Sequence, residues 1–236
     1  MAFRRPSSPQ DRRLGAGFFF LHVASIRYTA RRINSPRNTP HHQQITDTDM
    51  KLASCKLKSS TPYSPSRFHN TPKPDKISHD EHEKNTWREK CHADEDGNVF
   101  IPPMAFKKSI EEAAAFRGEK IKGKGNATWS KHFKAGILVD RGIFVGIKKS
   151  EIKSEEFLCD AQGRSNGTSR VMRTFPVVPQ WSGVLEVTVL DDTIDKETFE
   201  KTIREAGLFI GVGRFRPRNG GFYGRFIVES VTWTEI

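Results

Sequence analysis

The chain has no long hydrophobic run. Its longest apolar stretch, Gly15-Ala-Gly-Phe-Phe-Phe-Leu21, falls far short of the roughly 20 residues that cross a bilayer as a helix, which argues against a membrane-spanning protein. Cysteine is scarce: Cys55, Cys91 and Cys159 are odd in number and far apart. That pattern suits free thiols in a reducing, cytoplasmic setting better than a disulfide framework. No Walker-type phosphate loop, nucleophile elbow or paired-carboxylate motif occurs, so the broad enzyme classes built on them lose their support, and no cofactor is expected. Negative charge is also short. Asp and Glu number 28 against 39 Lys and Arg, a formal +11 with a pI near 9.7, which favours a polyanionic partner and would also suit a membrane surface.

Residues 1–49 lack lysine altogether but hold eight arginines, whereas 50–236 carry nineteen lysines and twelve arginines. The first stretch also mixes Pro, Ser, Gln and paired His without sustained periodicity, so it is expected to be disordered. The preferred reading is a non-native extension, translated from upstream of a natural start at Met50. The alternatives are an Arg-rich targeting sequence or a basic nucleic-acid arm. From Met50 the chain runs straight into Lys51-Leu-Ala-Ser-Cys-Lys-Leu-Lys58, whose alternation predicts a strand over 52–57, and a domain that begins cleanly on a strand supports the start at Met50. The chain length suits one main domain, over 50–236.

Along that domain a Pro/Ser-rich loop precedes a short charged helix around 80–90, in which Trp87 anchors to the core. Residues 98–101 are extended. Pro102-Pro103 then opens a helix over 104–116, with Phe106, Ile110, Ala113 and Ala114 on one face and Gly118 as its end. A flexible basic loop, Lys120-Ile-Lys-Gly-Lys-Gly-Asn126, leads to a strand pair at 135–139 and 143–147 turning on Asp140-Arg141-Gly142. An insertion follows over about 148–181. Val184-Leu-Glu-Val-Thr-Val-Leu190 is the clearest strand. A helix capped by Asp195 carries Phe199, Ile203 and Ala206 inward and stops at Gly207; short and long strands follow at 208–211 and 224–233. In the last strand Phe226, Val228, Ser230 and Thr232 share one face. The order predicts an α+β, ferredoxin-like (RRM-like) βαββαβ core with insertions and a C-terminal Gly-rich loop, a mixed β-barrel being the alternative.

The densest chemistry lies in Gly211-Val-Gly-Arg-Phe-Arg-Pro-Arg-Asn-Gly-Gly-Phe-Tyr-Gly-Arg225. Glycine lets backbone amides approach a ligand, arginine forks onto phosphate, and aromatic faces stack on unpaired bases. Almost no compensating carboxylate appears there before Glu229. A plain turn with solvated arginines is the alternative. Together with the helix entry Val99-Phe-Ile-Pro-Pro-Met-Ala-Phe-Lys-Lys-Ser-Ile110, this loop resembles the RAMP superfamily, the ferredoxin-like RNA-binding and processing subunits of CRISPR effector complexes. Gly-Gly-Phe-Tyr-Gly-Arg is close to the Gly-Tyr-Gly-Arg ending of that family's glycine-rich loop. Ile101, Pro102 and Lys107 match its first-helix turn, while Met104, Ala105 and Phe106 replace that turn's small polar residues. The whole also resembles uncharacterised phage and prophage proteins.

The resemblance implies a backbone-type subunit that grips single-stranded nucleic acid, RNA rather than DNA, beside other subunits of a ribonucleoprotein or itself in a filament. Candidate contacts are Lys107, Lys122, Lys124, Arg170, Arg214, Phe215, Arg216, Arg218, Gly220, Gly221, Tyr223 and Arg225. Two other readings remain open: a metal-independent endoribonuclease of the same fold, with His69 as its candidate acid or base by analogy, or a phage structural or interaction protein. His79-x-x-His82 with Cys91-His92 matches no compact zinc finger, and Asp191-Asp192 reads as turn chemistry before a helix, so no metal is assigned.

Overall fold

The computed structural model describes residues 50–160 and 170–236. The expectations for residues 1–49 and for the middle of the insertion, 161–169, lie outside the described residues. The fold is mixed α and β, with antiparallel sheets.

Strand β1 (Lys51–Ser59) lies between β7 (Ser182–Val189) and β8 (Phe226–Glu235), and β3 (Ile137–Leu138) pairs with the far side of β7, giving the order β3-β7-β1-β8. Alternation decides the faces. Ala53, Cys55 and Leu57 of β1 and Leu185, Val187 and Val189 of β7 are buried, while Lys56, Lys58, Val184 and Glu186 point away from the core. In β8 the period breaks. Lys56 pairs with Ser230 but Leu57 with Val228, so Glu229 is an extra residue, and beyond this bulge Val231 and Trp233 turn back to the core. The single-face reading that put Ser230 and Thr232 with Phe226 and Val228 is thereby corrected. One inserted residue inverts every side chain after it.

The buried face is covered by α2 (Pro103–Arg117) and α4 (Lys196–Glu205). Pro103 opens α2 in its first turn, where a missing N–H costs nothing, and Gly118 closes it at φ 58°. Phe106, Ile110, Ala113 and Ala114 are buried, with Phe106 edge-on to Trp181 and Phe226. Asp195 caps α4 by accepting the Thr198 N–H at 2.7 Å, and Phe199 reaches the Trp233 ring at 5.6 Å. Each such buried aromatic or aliphatic side chain contributes about 1.5–3 kcal/mol. On the chain between β1 and α2, α1 (His79–Thr86) leads into a 3-10 turn that buries Trp87.

Two elements differ from the sequence reading. Residues 135–139 and 143–147 do not form a hairpin. Helix α3 (Trp129–Gly136) ends at β3, which joins β7, whereas β4 (Ile143–Lys148) pairs with β2 (Asn98–Ile101) in a separate ladder. Gly142 packs against the Ile101 carbonyl so closely that a Cβ would collide with it, which steers the chain to β2. Nor does α4 stop at Gly207. It continues as a π turn, Ala206–Ile210, and ends at Gly211 with φ 73°, so no strand occupies 208–211. Gly207 instead permits close packing, because a Cβ there would strike the Phe226 carbonyl. The insertion contains a hairpin of β5 (Lys153–Asp160) and β6 (Arg170–Val177), in register from Lys153↔Val177 to Asp160↔Arg170.

Candidate nucleic-acid interface

The 211–225 loop doubles back on itself and is sewn to the segment after β1. Val212 N–H donates to Gly224 O at 2.9 Å, Tyr223 N–H to Phe215 O at 3.0 Å, Arg214 N–H to Ser64 O at 2.8 Å and Gly224 N–H to Pro62 O at 2.7 Å. This closure explains most of the glycine. A Cβ at Gly221 would run into the Phe215 carbonyl, and one at Gly224 into the Val212 carbonyl; Gly220 alone of the three faces open space, at φ 74°. The close approach at Gly221 is therefore to the loop's own backbone.

Its aromatics divide into two sets. Phe215 and Tyr223 turn inward and join Phe157 and Phe175 of the β5–β6 hairpin, with ring centroids 5.2–6.3 Å apart. Tyr223 is buried and its hydroxyl donates to Glu155 at 2.7 Å; burial first, then the Glu155 carboxylate, push the phenol pKa upward. Phe222 is left 60% exposed.

Its arginines are mostly spoken for. The Arg214 guanidinium lies 4.5 Å over Phe175, where burial lowers its pKa. Arg216 and Arg218 converge on one carboxylate, Glu112 of α2, at 3.0 and 2.9 Å. That corrects the expectation of an uncompensated loop: the counter-charge comes from about a hundred residues upstream. Arg225 Nε donates to Leu208 O at 3.2 Å. Arg170 opens β6 opposite Asp160 and is exposed.

The 118–136 segment behaves differently. Ile121 is buried as an anchor, Gly123 and Gly125 take φ 79° and 59°, and Lys120, Lys122, Lys124, Lys131 and Lys134 are all exposed. Lys120 reaches the Asn126 side-chain oxygen and Lys124 the Thr193 hydroxyl. Among the described residues none of the five lysines bridges a carboxylate. Behind them Trp129 packs edge-on to His132 and Phe133, and His132 Nδ1 donates to Asp191 at 2.6 Å. Burial pulls the Asp191 pKa up, but bonds from His132 and Thr193 outweigh it and leave it lowered. Asp192 is bridged to Lys51 at 3.0 Å. Lys107 braces α2 to α3, its ammonium shared by Glu111 and the Lys134 carbonyl.

His69 lies in a grouping that spacing could not reveal. A cavity of about 370 Å³ is lined by His69, His79, His82, Glu83, Lys90 and Arg173, among others. His69 Nδ1 is 3.1 Å from the Thr71 hydroxyl, and His82 Nε2 is 3.1 Å from the Thr71 carbonyl, an acceptor, so that nitrogen carries the proton. Glu83 receives Lys90 at 2.8 Å and Arg173 at 2.7 Å; burial raises its pKa but these cations win and lower it. Cys91 is buried in the core and His92 turns onto Phe100, so the sequence-adjacent pair does not join this group. No helix among the described residues is long and apolar enough to cross a membrane.

No family model and no curated protein matches the chain. A solved structure does, weakly. The chain is similar to the crystal structure of Cmr6 from Pyrococcus furiosus, with a TM-score of 0.40 and 12% identity over 76% of this chain and 98% of that one. A likeness of that size is too slight to carry a function.

Proposed function

We propose that the protein grips single-stranded nucleic acid, RNA rather than DNA, as a backbone-type subunit of a ribonucleoprotein assembly. The observation that carries this reading is the set of five exposed lysines, free of carboxylate bridges, grouped around Trp129 on a glycine-hinged loop and the helix after it. Phosphates that displace their counterions gain affinity there without first breaking an ion pair. Lys122, Lys124, Arg170 and Arg225 make the electrostatic grip. Arg214, Arg216, Phe215, Gly221, Tyr223 and Lys107 set its shape from within, and Gly220, on the open side of the loop, permits close backbone approach. A ferredoxin-like βαββαβ plan of the RAMP kind is supported by the sheet order β3-β7-β1-β8, in which α2 lies between β1 and β3 and α4 between β7 and β8. The preference for RNA rests on the likeness of the 211–225 loop to the RAMP glycine-rich loop.

The histidine cavity favours a second reading, a metal-independent endoribonuclease, in which cleavage persists in EDTA and is abolished by His69→Ala. For the first reading the test is purification at low salt with the 260/280 ratio followed before and after nuclease. Co-purifying material destroyed by RNase is the expected result. A protein free of nucleic acid at low salt would overturn it in favour of a structural or protein-binding role.

A further inference from the structure

Phe116 and Phe209 are large aromatics left outside the core by rigid elements. Phe116 stands on the last turn of α2, off the buried stripe of Phe106, Ile110 and Ala113, and is 59% exposed. Phe209 is 48% exposed in the π turn, whose extra residue rotates Leu208 and Phe209 outward while Ile210 stays buried. Gly207, pressed against the Phe226 carbonyl, holds that turn in place. The rings lie 6.3 Å apart, tilted by 34°. We infer that Phe116 and Phe209 form the base-stacking platform for single-stranded RNA, a deepening that rests on the RNA-gripping function proposed above.

Charge around the platform selects the occupant. The Arg218 guanidinium sits 5.7 Å over the Phe116 ring, and Arg225 is tied to the carbonyl of Leu208, next to Phe209. Lys120 follows Phe116 by four residues and begins the unbridged lysine segment. The nearby carboxylates are already neutralised: Glu112 by Arg216 and Arg218, Glu119 and Glu205 by Arg117, with Lys201 also on Glu119. A polyanion with exposed π faces fits rings set between two cationic flanks, and a sequence-tolerant stack follows because every base has such a face.

Binding of a fluorescein-labelled oligouridine 20-mer by the full chain, followed by anisotropy from 50 to 300 mM KCl, tests this. Phe116→Ala and Phe209→Ala are each expected to weaken binding about tenfold, and the pair roughly a hundredfold. The slope of log affinity against log salt should stay at the wild-type value, because no phosphate contact is removed. Phe116→Leu/Phe209→Leu keeps the apolar bulk and so protects folding, yet should lose affinity like the alanine pair. Wild-type-like RNA binding by either double variant overturns the platform and leaves the lysine grip standing. Unchanged RNA affinity with weakened self-association in sedimentation reassigns the rings to a protein contact and overturns it too. A wild-type chain that does not bind at 50 mM KCl overturns the platform and the RNA-gripping function together.

Discussion

The 211–225 loop and the 118–136 segment are both basic, both punctuated by glycine and both mixed with aromatics, yet the fold uses them in opposite ways. In the first, Glu112 holds two arginines, Phe175 lies under a third and the Leu208 carbonyl receives the fourth. In the second, five exposed lysines meet no carboxylate among the described residues. Arginine's flat, forked group is held here by a carboxylate, a ring face and a carbonyl, whereas Lys120 and Lys124 meet only neutral oxygens that leave their charge uncompensated. A dense run of arginine and glycine can thus be a piece of architecture, and the cations available to a polyanion can lie in the plainer segment.

The largest effect should come from reversing charge in the lysine segment. Lys122→Glu/Lys124→Glu is expected to lower RNA affinity at 100 mM KCl by about a hundredfold. Arg216→Gln/Arg218→Gln, which uncovers Glu112 beside the Phe116 ring, should weaken it less, by about tenfold, while lowering the melting temperature. Equal losses in the two pairs would erase the contrast between the regions. Glycine comes next. Gly221→Ala should cost about 2–3 kcal/mol of stability through its collision with the Phe215 carbonyl, and Gly220→Ala only about 1 kcal/mol, both read from denaturant melts. A Gly221→Ala protein of full stability that fails to bind RNA would mean that this glycine serves the ligand after all.

Much of the fold was legible because the burial period is clean. β1, α2, β7 and α4 follow from Leu57, Ile110, Val187 and Ile203 and their neighbours at spacings of two or of three to four. What the pattern hid was non-local. The bulge at Glu229 depends on pairing with β1, and the separation of β3 from β4 depends on partners far along the chain. Helix α3 begins after Thr128, a usual cap residue, but at eight residues it is too short for its period to stand out. At the candidate interface the lysine loop was readable from its composition, but the fate of the arginines was not, since Glu112 belongs to another element. Phe215 and Tyr223 read as stacking residues because they sit among glycines, whereas their rings close a cluster with Phe157 and Phe175. Phe116, three residues beyond Ala113, continues the apolar spacing of its helix, and only its exposure in the structure sets it apart.

Smaller effects sharpen the view of the inward face of the loop. Tyr223→Phe should cost about 1 kcal/mol by removing the bond to Glu155. Because burial and Glu155 raise the folded phenol pKa, the stability it contributes is whole below the ordinary value of about 10. It is lost as pH climbs toward the folded value, so the difference between wild type and Tyr223→Phe should be flat from pH 7 to 9 and shrink above. A difference that varied across that flat range would place the hydroxyl outside the cluster. Least of all, Cys55 and Cys91, whose thiols burial pushes up to about 12, should resist alkylation at pH 8 in the native protein while the half-exposed Cys159 reacts.

The most direct test is the salt dependence of single-stranded RNA binding by Lys122→Ala/Lys124→Ala beside the wild type. The expected result is tight wild-type binding that weakens steeply with salt, and a variant slope shallower by about 1.4, two phosphate contacts at roughly 0.7 each. A variant slope equal to that of the wild type would contradict the assignment of the grip to the lysine segment.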